Sequence, residues 1–464
     1  MKKLLAMALA LVMALSVTTA AWAEQPVVAK MGGNTYTDLH TALEAAVNGG
    51  TVELLGDVTL TGTWTPVGTS NAPFKGTFDG KGHTITGLNI STNENDYVGL
   101  IGMLDGGTVK NVKFASVSVS GKNDVGTAVG RIINGGAVSG VQVLGGTVSG
   151  AKRVGGVVGS IKASGTVSDC TNAATVTGSV YNVGGIVGAA YYTEEGKQMY
   201  ITNCANNGAV TSSGVGAGGI VGLSAANVSG NTNTAAVKGT EVGGIVGEQK
   251  SYGSVTNNTN SGAVTYTSGE NTYGAGGIIG WLRYHGTSEA NAYAVSAIIS
   301  VTGNKNSGNV TGGNDAGGIV GTVYNSAVIM NNKNTATSFS AATFAAGIVG
   351  NYQTVETPAA AVPAQNKLTF GSDNTSTTPL EQITAECKDL LIYTNGNAIE
   401  IVEVPDPTPE TPPRYYYNST TTTTDTKTDE TKGSPKTFDA GMGIYALTAV
   451  LSVTGMACVG KKKF

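Results

Sequence analysis

Histidine, charge and cysteine are scarce in this sequence. The 464 residues include 3 His and 4 Cys, and only 12% are charged, with a formal net charge of −4. We find no HExxH, GxSxG or P-loop motif and no Cys/His cluster with metal-ligand spacing. A nucleic-acid ligand would call for a basic patch, which the composition does not indicate. We therefore expect no enzyme activity, no catalytic or metal-binding residues, no cofactor and no nucleic-acid partner.

The repeats hardly use Leu, Glu or Lys and show no apolar stripe of period 3.6, so a helical solenoid is excluded. Glycine is abundant instead, with 68 residues, about twice the usual frequency. Much of it lies in a motif of the type VGGIVG that occurs nine times, its closing glycines 25 to 41 residues apart. Repetition at such a period indicates a solenoid, in which each unit buries its apolar face against its neighbours. The nine copies end at Gly102, Gly130, Gly159, Gly188, Gly222, Gly247, Gly280, Gly321 and Gly350.

An asparagine-rich segment follows most copies of the motif. Two positions after its first aliphatic residue only Asn, Asp and Gly occur, which predicts a tight corner with positive φ. Positions three, five and nine share a parity and therefore one face of a strand. We expect position five to form an inward ladder of amides bonded from coil to coil. Its members are Asn172, Asn206, Asn233, Asn260, Asn306 and Asn334.

Each unit is interpreted as three short strands joined by corners. The prediction is an all-β fold, a right-handed parallel β-helix of roughly ten coils stacked ~4.8 Å apart, with a short α-helical cap at its N-terminal end. The alternative is a β-sandwich or propeller with Asn-rich turns.

The repeats resemble GLUG-motif repeats, which are found in bacterial surface adhesins and beside some secreted peptidases. The resemblance rests on the VGLIG and GGIVG runs with their N-x-x-N-x-G-x-V companions and covers about residues 62 to 350. Phe74 to Leu88 resembles the FxGxFDGxGHTIxGL segment that begins the β-helix of such adhesins. Asp79 and His83 within it are interpreted as turn and edge-strand residues rather than catalytic groups.

Both ends of the chain carry address-like segments. Lys2, Lys3, an apolar run and Ala21-Trp22-Ala23 predict a signal peptide over 1–23. The cap is predicted over 24–61, with Thr37 or Asp38 as helix N-cap. The repeats are predicted over 62–355. Closing coils or a C-terminal cap are predicted over 356–404, and a Pro/Thr-rich linker over 405–433.

Residues 434–464 combine a short motif, an apolar run and a lysine-rich tail. This order resembles a Gram-positive cell-wall sorting signal read by a sortase, although only Pro435 and Thr437 match LPxTG. The resemblance implies transient membrane insertion of the apolar helix, joining of Thr437 to peptidoglycan and a place at the cell surface. A retained membrane anchor is the alternative. The motif itself is Ser434, Pro435, Lys436, Thr437 and Phe438.

Aromatic residues gather after the closing glycines and in two inserts, so stacking should place them on one side of the coil. Such a row beside polar groups suits sugar rings, although it also suits the covering of corner glycines. The function predicted is an adhesin for host or dietary glycans or proteins. Alternatives are a passive stalk and a carbohydrate-active lyase or glycosidase, but charges stand singly along the repeats. The candidate binding residues are Tyr191, Tyr192, Glu194, Trp281, Arg283, Tyr284 and Tyr324.

Overall fold

The structure is a computed structural model, and most of the repeat region is described in it. The described residues are 26–92, 94–191, 197–250, 253–267, 274–283, 299–324, 327–342, 344–353, 368–371, 374–376, 390–394, 397–399, 403–404 and 414–415. The signal peptide and the sorting motif predicted from the sequence lie outside these ranges. Among the described residues, no helix has the length and hydrophobicity that crossing a membrane requires.

The chain winds into a parallel β-solenoid, as the motif spacing predicted. Each coil contributes to four long sheets in turn, and equivalent residues of successive coils pair in parallel register, as Val228 does with Val255. The prediction of three strands per coil was wrong. The strand that leads into each glycine motif and the strand that leaves it belong to two different sheets. The tight turn at the motif glycines separates these third and fourth sheets.

In the first two sheets the strands are short and stack in chain order, apart from the N-terminal hairpin. The first sheet comprises Asn34–Tyr36, Ala29–Met31, Thr51–Leu54, Thr77–Asp79, Thr108–Lys110, Ala137–Ser139, Gly165–Ser168, Met199–Thr202, Asn227–Ser229, Ser254–Thr256, Ile299–Thr302, Ala327–Met330, Leu368–Gly371, Leu390–Thr394 and Asn397–Ile399. The second comprises Val58–Thr59, Thr84–Thr86, Lys113–Ala115, Gln142–Val143, Thr171–Asn172, Ala205–Asn206, Thr232–Asn233, Thr259–Asn260, Lys305–Asn306, Lys333–Asn334 and Thr375–Ser376.

In the third sheet most coils supply two separate short strands. In two coils, Gly146–Gly155 and Thr175–Gly184, the two segments are continuous as one longer strand. They are Asn89–Ser91, Asp96–Val98, Val117–Ser120, Asn123–Val125, Gly146–Gly155, Thr175–Gly184, Val210–Ser212, Val215–Gly218, Val237–Gly239, Val242–Gly243, Val264–Tyr266, Ala275–Gly276, Val310–Thr311, Asp315–Gly317, Phe339–Ser340 and Phe344–Ala346. The fourth sheet comprises Ile101–Asp105, Val129–Ile133, Val158–Lys162, Val187–Tyr191, Val221–Ser224, Val246–Gln249, Ile279–Arg283, Val320–Tyr324 and Val349–Gln353. Glu403–Val404 and Arg414–Tyr415 form a separate antiparallel pair.

The predicted corner between the first and second sheets is confirmed at every copy. All eight residues in that column have φ between 53° and 71°. Asn, Asp and Gly tolerate this left-handed conformation better than other residues, which explains the restricted composition of the column. Its members are Asn111, Gly140, Asp169, Asn203, Gly230, Asn257, Gly303 and Asn331.

The N-terminal end carries the predicted helix, which spans Leu39–Ala45. Asp38 is the N-cap, and its side chain accepts a hydrogen bond of 2.7 Å from the backbone N–H of Thr41. Leu39, Ala42 and Leu43 are buried, as the apolar face predicted. An antiparallel hairpin, Ala29–Met31 with Asn34–Tyr36, occupies the edge of the first sheet beside this helix.

The solenoid interior changes character along its length. Phe74, Phe78 and Phe114 are fully buried at the N-terminal end. Further along, buried asparagines replace apolar residues in two columns: Asn172 continues the column of Phe114, and Asn231 continues the column of Val112. Such a core holds together only if every buried amide has hydrogen-bond partners, because an unsatisfied amide in an apolar interior costs about 1–3 kcal/mol.

Candidate functional site

The predicted asparagine ladder is present in the core. Successive Nδ2 groups donate to the Oδ1 atom of the next coil at 2.9 to 3.0 Å, from Asn172 through to Asn334. The second N–H of each donor reaches a backbone carbonyl two residues onward, as Asn260 does to Gly262. Both N–H groups of each of these donor amides therefore have a partner inside the core. The hydrogen bond to the backbone carbonyl also fixes the turn that follows each ladder residue.

A second ladder runs beside the first and was not predicted. Asn231, Asn258, Asn304, Asn332 and Asn374 are bonded side chain to side chain at 3.0 Å. In each pair the Oδ1 atom of the later coil also accepts the backbone N–H of the earlier asparagine, as between Asn231 and Asn258. The signal was available, because these residues fill position three of the repeat. They continue a column that begins with Val112 and Val141 and passes through the free, buried thiols of Cys170 and Cys204.

The second glycine of the motif lies against the first ladder. A side chain at Gly244 would collide with the amide carbon of Asn260 and with the backbone carbonyl of Gly277. The same holds at Gly156, which faces Asn172. Where the motif has Thr127 instead, the ladder position of that coil is Val143. The double glycine is therefore a packing requirement of the ladder rather than a ligand-binding loop.

A different set of residues lies on the outside of the corner between the third and fourth sheets. We call this surface the corner face. Three columns form it. They hold the residue directly before each glycine motif, the residue directly after its closing glycine, and the residue three positions after that glycine. Its polar and aromatic members are Tyr97, Asp124, Arg131, Arg153, Ser160, Asn182, Tyr191, Glu241, Glu248, Trp281, Arg283, Asp315, Thr322 and Asn351.

Asp124 is the centre of an ion cluster in the N-terminal half of the corner face. Its carboxylate is fully buried and accepts hydrogen bonds from Arg131 at 2.8 Å and from Arg153 at 2.7 and 2.8 Å. Ser160 donates a fourth hydrogen bond at 2.5 Å. The hydrogen bond with Asp124 raises the pKa of Arg153 further above its ordinary value. The cluster joins two successive coils through one carboxylate.

Tyrosines surround this cluster. The Arg131 guanidinium lies 4.5 Å from the ring centroid of Tyr97 and donates to its hydroxyl at 3.2 Å. Tyr191 lies between the two arginines, with guanidinium carbons 6.0 and 5.7 Å from its centroid. Burial, with the Asp124 charge, raises the pKa of Tyr191. Tyr191 is half-buried, so part of its ring remains open to solvent.

A second cluster occupies the corner face further along the solenoid. Glu241 and Glu248 are each 3% exposed. Arg283 donates to Glu248, while Lys250 lies 3.7 Å from the same carboxylate. Burial and the nearby Glu248 raise the pKa of Glu241 to about 8. One carboxyl of the pair is therefore neutral at pH 7, which is the arrangement expected when two carboxyl groups share a low-dielectric site.

The expectation that charges stand singly was wrong, because coil stacking brings together residues that are distant in sequence. Asp124 and Arg153 are 29 residues apart, one coil length in that region. The spacing of the closing glycines contained this signal. Both carboxylates of the Glu241–Glu248 pair are nearly inaccessible, so they do not form an open catalytic cleft of the kind that glycosidases use.

The predicted binding residues have mixed outcomes. Tyr191 and Arg283 lie on the corner face. Trp281, predicted to belong to an aromatic row that suits sugar rings, also lies there but is 6% exposed, with the Arg283 guanidinium 4.1 Å from its ring centroid. Tyr324 pairs with Arg283 in the fourth sheet, but its side chain lies outside the described atoms, as do residues Tyr192, Glu194 and Tyr284.

Asp79 and His83 have structural partners, in keeping with the sequence interpretation. Asp79 accepts hydrogen bonds from the backbone N–H of Lys81 at 2.9 Å and from Asn111 Nδ2 at 3.2 Å. His83 Nδ1 lies 3.6 Å from Asp57. Within the described ranges, no group of three or more His, Cys, Asp or Glu side chains could hold a metal ion.

The raised pKa of Glu241 predicts that stability falls between about pH 5 and pH 8. In this interval the folded state holds a proton that the unfolded state releases, so the free energy of unfolding decreases as the pH rises. We expect a loss of about 2–4 kcal/mol over the interval in the parent and a clearly smaller loss in Glu241→Gln. Chemical denaturation at several pH values measures both. The matched control, Glu44→Gln on the exposed helix surface, should follow the parent, and a Glu241→Gln curve identical to the parent would contradict the prediction.

Comparison with known proteins finds partial similarities but assigns the chain to no family. No family model matches the chain. A stretch of 89 residues is 38% identical to Halomucin of Haloquadratum walsbyi, which is 16% of this chain and 1% of that protein. The chain thus spans only a small fraction of this relative. A solved structure of a candidate immunoglobulin A1 protease from Bacteroides ovatus aligns over 68% of this chain and 81% of that one, with 20% identity and a TM-score of 0.37.

Proposed function

We propose that this chain is a surface adhesin, anchored in a Gram-positive cell wall, that presents the corner face of its β-helix to a host or dietary glycan or protein. The observation that carries the proposal is the alignment of tyrosine and arginine side chains on the outside of one corner over consecutive coils. Tyr97, Arg131, Arg153 and Tyr191 are held there by a buried carboxylate and by strand register. Rigid aromatic and arginine groups are the side chains that dominate binding surfaces.

The two ends of the chain support display outside the cell. The signal-peptide pattern of residues 1–23 directs export, and the Pro/Thr-rich stretch 405–433 has the composition of an extended spacer. The sorting-signal resemblance of 434–464 makes a sortase and peptidoglycan the anchoring partners, through Thr437. A stiff solenoid on an extended spacer would carry the corner face away from the wall.

The passive stalk is the competing function, and the corner face distinguishes it. A stalk needs the ion clusters only to tie coils together and gives no role to a half-exposed Tyr191. An adhesin uses the open part of this ring as a contact surface for its ligand. A stalk therefore predicts that changes at the corner face leave attachment to surfaces unaltered.

Attachment of whole cells tests the proposal. Cells of the producing bacterium should bind mucin-coated or glycan-coated surfaces when they make the full chain. They should lose this binding when the chain lacks 434–464, with the shortened protein recovered in the medium. Tyr191→Ala should weaken attachment several-fold, as expected when a partly desolvated aromatic contact is removed.

The control substitution is Tyr200→Ala, which removes a tyrosine that is 40% exposed on the first sheet, away from the corner face. Attachment by this variant should match the parent. The Trp281→Ala and Tyr284→Ala double variant extends the test to two further residues that the sequence predicts to bind. Equal attachment by parent, Tyr191→Ala and the double variant would favour the stalk, and release of sugar products from a polysaccharide would favour an enzyme.

A further inference from the structure

One segment in the N-terminal half of the repeat region has a charge balance opposite to that of the whole chain. Residues 106–168 contain seven Lys or Arg and a single acidic residue, Asp124, although the chain as a whole has a net charge of −4. Asp124 is fully buried against two of these arginines and so contributes little negative charge at the surface. The seven are Lys110, Lys113, Lys122, Arg131, Lys152, Arg153 and Lys162.

An open groove lies on the third sheet and begins within this basic segment. It has a volume of about 450 Å³ and is open to solvent. The groove forms at the bend between the two segments of each coil, where Gly121, Gly150 and Gly178 provide a floor almost without side chains. Its walls carry hydroxyl groups and one lysine: Ser120, Lys122, Ser149, Thr177, Ser179 and Ser213.

The walls are periodic, because equivalent residues of neighbouring coils stack in register. Ser120 pairs with Ser149, and Ser149 pairs with Thr177. A hydroxyl therefore recurs about every 4.8 Å along the groove, the spacing of adjacent strands. This repeat is close to the length of one pyranose unit in an extended chain. A polymer of sugars would thus offer a hydroxyl group to each successive coil.

Two lysines of adjacent coils lie on the same side of the groove, each just after the bend glycine of its coil. Lys122 is exposed on one wall. Lys152 follows the wall residue Ala151, with its ammonium group 5.1 Å from the ring centroid of Tyr181. The next residue is Arg153 of the corner face. Cations placed along a hydroxyl-lined trough attract an anionic polymer that the average surface of this acidic protein would repel.

We infer that this groove, which we call the third-sheet groove, binds an acidic polysaccharide, a glycan chain carrying carboxylate or sulfate groups. The hydroxyl columns hydrogen-bond the sugar hydroxyls, while Lys122 and Lys152 pair with the anionic substituents. A nucleic acid fits less well, because the groove walls provide no aromatic stacking platform of the kind that single strands use. The inference goes beyond the proposed adhesion at the corner face and does not depend on anchoring.

Binding of the purified full-length chain to defined polymers tests the inference. Polygalacturonate and heparin represent carboxylated and sulfated chains, and dextran is the neutral control. We expect the chain to bind at least one acidic polymer and not dextran, with affinity falling as NaCl rises from about 50 to about 500 mM. The Lys122→Ala and Lys152→Ala double variant should bind about tenfold more weakly, since two ion pairs at a partly exposed surface are lost.

The matched control is Lys305→Ala, an exposed lysine of the second sheet, in the strand Lys305–Asn306. It should bind like the parent, and the double variant should weaken binding by the same factor in a Tyr191→Ala background, which separates this site from the corner face. Three results would overturn the inference: unchanged binding by the double variant, equal weakening by Lys305→Ala, or binding of duplex or single-stranded DNA as tight as that of the acidic glycans. Circular dichroism of each variant confirms that the β-solenoid remains folded.

Discussion

Replacing Asn260 with leucine should lower the free energy of unfolding by about 3–5 kcal/mol, a large share of the stability of most domains. The amide of Asn260 bonds to Asn233, to Asn306 and to the backbone of Gly262, with distances of 2.9 to 3.2 Å. Leucine satisfies none of these groups, and each buried partner left without a hydrogen bond costs about 1–3 kcal/mol.

Packing adds to this cost. The Asn260 amide lies flat against Gly244, where even a single added carbon would collide with it. The branched end of leucine is rounder than a planar amide and would press on the backbone of the glycine motif. We therefore expect Gly244→Ala to be destabilising as well. The two changes together should cost less than the sum of their separate effects, because both disrupt the same contact.

The control for this prediction is Asn309→Leu, the same substitution at an exposed asparagine one coil beyond Asn260. The side chain of Asn309 accepts a long contact of 3.5 Å from Thr337. Its replacement should change stability by less than about 0.5 kcal/mol, as surface substitutions usually do. Chemical denaturation measures all four variants. An Asn260→Leu protein as stable as the Asn309→Leu protein would show that the ladder does not hold the coils together.

Position-specific residue types explain which parts of the fold were predictable. The corner column accepts only residues that tolerate positive φ, and this restriction is visible in the letters themselves, as at Asn257 and Gly303. The ladder was predictable because asparagine recurs at a position whose parity points inward. The helix beginning after Asp38 follows from a capping residue and an apolar face.

The number of sheets was not predictable in the same way. The turn between the third and fourth sheets is made by glycines whose closeness to neighbouring backbone becomes apparent only when coils are stacked. At Gly188, for example, an added carbon would meet the backbone of Arg153 and Gly159 in the previous coil. A glycine that permits close backbone approach looks the same in sequence as one that permits a positive φ.

The corner face could be predicted from the sequence only where the length of one coil was known. In the first coils the period is steady at 28 or 29 residues, so Asp124 and Arg153 fall one coil apart and their pairing could be inferred. Later spacings vary from 25 to 41 residues, which obscures the equivalent relation of Glu248 and Arg283. In these later coils the strand register, rather than the residue type, determines which charged side chains meet. The third-sheet groove depends on the same stacking, with a local charge count as its only signal in the sequence.

Asp124→Asn should destabilise the protein by about 3–5 kcal/mol, the second large effect that we expect. The carboxylate neutralises two guanidinium groups whose side chains are only 13% and 18% exposed. Asparagine preserves the size of the side chain and tolerates the φ of 54° at this position, so the backbone need not change. What is lost is the negative charge, which leaves two largely buried cations close to each other without compensation.

Asp169→Asn is the matched control, because Asp169 also has a positive φ, 56°, but is exposed at a corner of the first sheet. It should change stability by less than about 0.5 kcal/mol. Adding Arg153→Met to Asp124→Asn should restore part of the lost stability, since one uncompensated cation is removed while its apolar stem is retained. Because the cluster is shielded from solvent, these differences should persist at about 0.5 M NaCl, where an exposed ion pair would be screened. If Asp124→Asn unfolds at the same denaturant concentration as Asp169→Asn, the cluster contributes no net stability, and its arginines are held in place by the tyrosines alone.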